Sequence, residues 1–108
     1  MKILLDENID VRFKNSFNRN DEVFTVKDME WNGIKNGQLL LLLKENKFHA
    51  WIVVDKNIPY QQNLLNFPCL IIVLNVYRNT LQYLLPLIPQ TLEVLQRDNT
   101  PKVVVIEP

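Results

Sequence analysis

Short apolar runs separated by polar turns recur along the chain, and most of them end abruptly. Ile3, Leu4 and Leu5 form the first, which ends at Asp6-Glu7-Asn8; a run this short with polar bounds predicts a buried strand. Ile9, Phe13 and Phe17 then recur every four residues, which predicts a helix over about 9–17 with Asn8 or Asp10 capping its start. Asn18-Arg19-Asn20-Asp21 is a turn cluster, and the alternating β-branched and aromatic residues of 22–26 predict a second strand.

Residues 27–35 are polar apart from Trp31 and a few others, and they lead to Asn36-Gly37, an amide and glycine suited to a helix start. The helix predicted over about 38–46 carries five consecutive leucines. Such a helix is apolar on nearly every side, so it is expected to be covered on nearly every side, between the sheet and the Trp31 loop. Trp51, Ile52, Val53 and Val54 form a continuous apolar run that stops at Asp55, the pattern of a strand buried on both faces of a parallel sheet. After a polar connection, 70–74 predicts a fourth strand ending at Asn75. Leu81, Leu84, Leu85, Ile88, Leu92 and Leu95 make a helical stripe interrupted by Pro86 and Pro89, so a short helix capped by Asn79 or Thr80 should kink or restart near Pro86. Val103, Val104, Val105 and Ile106 predict a final buried strand.

This alternation predicts a single α/β domain over 1–108, a three-layer sandwich around a mostly parallel five-stranded sheet with right-handed crossovers. An order 2-1-3-4-5 would make the first and third strands neighbours. Asp6, Glu7 and Asp55 would then converge at the switch point, where ligands of open α/β sheets bind.

Charge and composition narrow the classes. Twelve basic and twelve acidic residues cancel, which removes any argument from bulk charge for nucleic acid or membrane. Apolar residues make up 47% of the chain, enough for a core without staples. Cys69 is a single cysteine, read as a small buried apolar residue, and no apolar run approaches a membrane span. A cytoplasmic protein with no membrane partner is expected. His49 is alone and is read as a surface residue, and the two glycines, Gly33 and Gly37, provide no phosphate loop.

The candidate chemistry lies in the carboxylates. Three of them at one edge repel unless a cation sits between them, and hard ions such as Mg²⁺ or Mn²⁺ prefer such oxygen ligands. Metal-assisted phosphodiester hydrolysis uses that arrangement. The plainer reading makes Asp6 and Glu7 caps of the first helix and Asp55 the cap of a turn.

Met1-Lys2-Ile3-Leu4-Leu5-Asp6-Glu7-Asn8 resembles the opening of the small PIN-like domain family. Trp31-Asn32-Gly33, Asn36-Gly37-Gln38-Leu39-Leu40, Val54-Asp55-Lys56-Asn57, Gln61-Gln62-Asn63 and Asn79 with Leu84-Leu85-Pro86-Leu87-Ile88-Pro89 resemble its other landmarks in order and spacing. The resemblance implies a PIN-like fold and a metal-dependent ribonuclease, or the toxin of a toxin-antitoxin pair with an antitoxin protein as partner. It implies Asp6, Glu7 and Asp55 as the Mg²⁺ or Mn²⁺ ligands, with Gln38 and Asn57 positioning water or phosphate. Two positions depart from the pattern: Gln38 and Asn57 stand where relatives carry acids, which lowers the charge available to a metal. A catalytically degenerate module binding RNA or a protein is therefore a second reading, and a receiver-like phosphoacceptor a third.

Other residues admit two readings each. Lys56 is a phosphate contact or a solvated turn residue. Arg12 and Lys14 border a nucleic-acid groove or are the wet side of a helix. Trp31 and Tyr60 stack on bases or pack over the sheet.

Overall fold

The computed structural model describes residues 1–54, 68–97 and 102–108. Its strands are β1 (Lys2–Leu5), β2 (Glu22–Thr25), β3 (Ala50–Val53), β4 (Leu70–Leu74) and β5 (Val103–Ile106). They form one all-parallel sheet in the order β2-β1-β3-β4-β5, the order that makes β1 and β3 neighbours. Because every pair is parallel, one edge of the sheet gathers all the carboxyl ends.

Side chains alternate between faces along each strand, and the register aligns that alternation across the sheet. Ile3 pairs with Ala50 and Ala50 with Leu70, while Leu4 pairs with Trp51 and Trp51 with Ile71. Two apolar clusters result. One face carries Ile3, Leu5, Ala50, Ile52, Leu70, Ile72 and Leu74; the other carries Leu4, Trp51, Val53, Ile71 and Val73. Cys69 joins the second cluster, where burial pushes its thiol up to about 12.

The helix α1 (Asn36–Glu45) covers the second face through Leu39 and Leu43, supported by Met29, Trp31 and Ile34. Burying each leucine contributes roughly 1.5–3 kcal/mol. The covering is one-sided, contrary to the expectation of a helix wrapped nearly all round: Leu41 is 61% exposed. A helix on an open sheet face buries only the stripe turned toward the strands, however many leucines it carries.

Residues 9–17 do not form an α-helix. A 3₁₀ helix spans Val11–Ser16, with Asp10 as its cap and Phe13 buried. Phe17 lies beyond it, meeting Phe13 edge-on at 5.6 Å. Val11, Asn15 and Ser16 are weak helix formers, and a single buried side chain, Phe13, offers little packing to offset that.

The stripe over 80–97 breaks as expected. The helix α2 (Leu81–Leu84) passes through a 3₁₀ turn at Leu85–Leu87, containing Pro86, into α3 (Ile88–Arg97). Leu84, Leu87 and Leu95 pack on the same face as Phe13. The 3₁₀ helix carries the chain from β1 to β2, and α2 with α3 carries it from β4 to β5, in the opposite direction across the sheet. Two connections on one face that run in opposite directions have opposite hands. The α1 connection, on the other face, runs from β2 back across β1 to β3 and shares the hand of the first. The β4-to-β5 connection therefore has the opposite hand to those two, so the crossovers are not uniformly right-handed as expected. The short 3₁₀ helix leaves apolar surface on its face, and the leucines of α2 and α3 fill it. β5 is the outer strand, and Val105 is 53% exposed, so this strand is an edge and not the fully buried one expected.

No helix among the described residues is long and apolar enough to cross a membrane.

Candidate active site

Asp6 is the residue at which β1 stops. Its backbone N–H donates to the Ile52 carbonyl at 3.0 Å, extending the β1–β3 ladder by one rung, and its own carbonyl accepts from Ile9 N–H at 3.0 Å. The chain is thereby turned away from the sheet while the Asp6 side chain stays at the carboxyl edge, 7% exposed. Glu7 and Asn8 lie in the turn and are exposed. The capping role goes elsewhere: Asp10, not Asp6 or Glu7, caps the 3₁₀ helix by accepting from Arg12 N–H at 2.9 Å.

The adjacency on which the candidate site depends is present, because β3 runs parallel to β1 as its neighbour. Val54 follows β3 at the carboxyl edge. Asp55 and Asn57, with Lys56 and Tyr60, lie outside the described residues. Gln38 is exposed in the first turn of α1. That turn is also at the carboxyl edge, since α1 ends near Asn46, whose carbonyl accepts from Lys2 Nζ at the amino edge at 2.8 Å. Asn36 and Gly37 are inside α1 instead of ahead of it, and the cap position is Lys35, without a side-chain cap.

A groove of about 520 Å³ opens between the 3₁₀ helix and the turn after β2, lined by Arg12, Lys14, Thr25, Lys27 and Asp28 among others. Its cations are partly committed. Arg12 forms a two-pronged pair with Asp10, Nε to Oδ1 at 3.0 Å and Nη2 to Oδ2 at 2.7 Å. Lys14 Nζ reaches Asp28 Oδ2 at 3.1 Å across the groove. The Asp28 carboxyl is held low, first by the Thr25 N–H and then by Lys14. These exposed pairs fit the wet-side reading of Arg12 and Lys14, and such pairs contribute little to stability.

The Arg12 side chain, then its backbone N–H, lowers Asp10 to about 2. A depressed carboxyl stabilises the fold above its ordinary pKa, and that contribution is lost as pH falls through about 2. In Arg12→Ala the Asp10 midpoint, followed by carboxyl ¹³C NMR, should rise toward the ordinary carboxylate value. An unchanged midpoint would assign the whole effect to the backbone N–H.

Trp31, read in the sequence as either a stacking or a packing residue, and His49, read as a surface residue, lie away from the carboxyl edge. The Trp31 ring packs 5.8 Å from Phe48 against the second cluster. His49 Nδ1 accepts from Lys2 N–H at 2.9 Å at the amino edge.

Sequence reasoning missed the loop after β4. Asn79, expected as a helix cap, instead donates from Nδ2 to the Asn8 carbonyl at 2.7 Å, tying this loop to the Asp6 turn. Beside it, Tyr77 and Tyr83 meet with ring centroids 5.9 Å apart, and the Arg78 guanidinium stands over the Tyr77 ring. The available signal was Tyr77 shortly after a buried strand, at the edge where ligands bind.

These features define an open, parallel α/β sheet with a buried carboxylate at its carboxyl edge. Comparisons with protein-family models, curated proteins and solved structures return no match.

Proposed function

We propose that this chain is a PIN-like, metal-dependent ribonuclease whose centre is Asp6. The observation that carries the reading is a carboxylate kept almost entirely from solvent at the carboxyl edge, beside β3, while the cap of the following helix is a different residue. Burying an acid is costly and is retained where a partner or a function offsets the cost.

Carboxylate oxygens are the right donors for Mg²⁺ or Mn²⁺. Among the described residues no three acidic, histidine or cysteine side chains come together, so the set would be Asp6 and Glu7 completed by Asp55. A divalent ion held by them would neutralise phosphate charge and acidify a bound water. Asp6 would be the fixed ligand, its backbone anchored to β3, and exposed Glu7 the adjustable one. Gln38, at the same edge, can donate or accept a hydrogen bond to water or phosphate but adds no charge. A toxin held in check by an antitoxin is one setting for this activity.

The exposure of Gln38, with its neutral amide, favours a second reading: a degenerate module that binds RNA or a protein without cleaving. A receiver-like phosphoacceptor shares the strand order, yet β4 is followed by Asn75, whose amide donates to Glu107 at 3.1 Å, where such a switch needs a hydroxyl.

Calorimetric titration of Mn²⁺, paired with a single-stranded RNA cleavage assay, separates the readings. Metal binding and cleavage that are both lost in Asp55→Asn support the nuclease. No binding at millimolar Mn²⁺ supports the degenerate module. Gln38→Glu should tighten Mn²⁺ if Gln38 belongs to the site.

A further inference from the structure

We propose that Tyr77 and Tyr83, with Arg78, form a stacking platform for a base of single-stranded RNA bound across the carboxyl edge. The proposal rests on the nuclease reading for its choice of ligand. Its own support is the geometry of the loop.

Tyr77 is 79% exposed and Tyr83 38% exposed. Tyr77 thus presents most of its ring to solvent, with the more covered Tyr83 packed beside it. Their centroids are 5.9 Å apart at 59°, so each limits the other's rotation. The backbone beneath them is pinned at both ends. Asn75 N–H donates to Ile106 O at 2.9 Å, and the Asn79 side chain donates to Asn8 O at 2.7 Å. Thr80 N–H closes the loop onto Arg78 O at 2.9 Å. A surface ordered before binding loses less entropy when a ligand arrives.

The chemistry selects a base over a purely apolar ligand. An aromatic face stacks on any nucleobase, and a guanidinium 5.7 Å from the ring centroid adds a cation that can reach the neighbouring phosphate. The position selects the site's own substrate. The loop is fastened to the turn that carries Asp6 and Glu7, so a strand whose phosphate approaches Asp6 has this platform along its path.

The test is fluorescence anisotropy with a labelled single-stranded uridine octamer, in excess chelator so that binding is read without cleavage. The same octamer carrying abasic sites is the second probe. Tyr77→Ala should weaken binding of the intact octamer by about 5- to 150-fold, the range for losing one stacked base, while Tyr77→Phe should remain close to wild type. Abasic sites should weaken wild type by a similar factor and leave Tyr77→Ala unaffected. Equal wild-type affinity for the two probes, an unchanged Tyr77→Ala, or no binding to the octamer would each overturn the platform. A cleavage assay in Mn²⁺ keeps the two ideas separable. Base-dependent binding without cleavage retains the platform and removes the nuclease. Cleavage lost in Asp6→Asn but unchanged in kcat/KM for Tyr77→Ala retains the nuclease and removes the platform.

Discussion

Asp6→Asn is expected to lower Mn²⁺-dependent RNA cleavage by about 100-fold or more while leaving the fold in place. Losing a group that merely orients a metal ligand costs about 10–100-fold, so losing a ligand itself should cost at least the upper end. Asparagine keeps the shape of the side chain, and backbone contacts to Ile52 and Ile9 hold this residue at the edge. The change removes the negative charge and leaves those backbone contacts in place. Glu7→Gln should have the smaller effect, because Glu7 is exposed and water can take the place of a weakened ligand. The check is kcat/KM for both variants beside their thermal midpoints. Full activity in Asp6→Asn at an unchanged midpoint would remove Asp6 from the centre.

Trp51→Ala should be the most destabilising single substitution, at about 3–5 kcal/mol, within reach of the whole stability of a domain this size. Trp51 is fully buried on the central strand β3, between Leu4 and Ile71 in register. Its thermal midpoint should fall by on the order of 10–20 °C, if the variant folds at all. The indole has a second feature: its buried Nε1–H has no hydrogen-bond partner among the described residues. An orphaned donor costs roughly 1–3 kcal/mol. Trp51→Phe removes that donor along with part of the packing, so its loss should be less than half that of Trp51→Ala. Equal losses in urea denaturation would show that the indole N–H is satisfied.

Much of this architecture is legible in the chain. β4 and β5 fall where the apolar runs lie, and the break at Pro86 follows from a missing backbone donor, a property of the residue itself. Asp6 at the end of β1 is equally plain, because an apolar run meeting an acid marks the end of a strand wherever the strand is placed. The strand order 2-1-3-4-5 is one arrangement that the alternation of strands and helices allows, and the sheet adopts it.

Other features depend on what lies across from each residue. The cap of the 3₁₀ helix falls to Asp10 over Asn8 because the Arg12 side chain and N–H both meet its carboxylate. The helices α2 and α3 take the face that the 3₁₀ helix covers poorly, which gives the last crossover the opposite hand. That outcome is a competition for apolar surface between segments from the two ends of the chain, and no local pattern contains it. The same holds for the carboxyl edge. Periodicity and residue type determined that Asp6 ends a strand and that the leucine run forms a helix against the sheet; which of its leucines are buried, Leu39 and Leu43, was decided by packing. Only the tertiary structure decided that Asn79 would reach Asn8 and tie the loop after β4 to the Asp6 turn, because that meeting joins loops from two strands with a third strand between them.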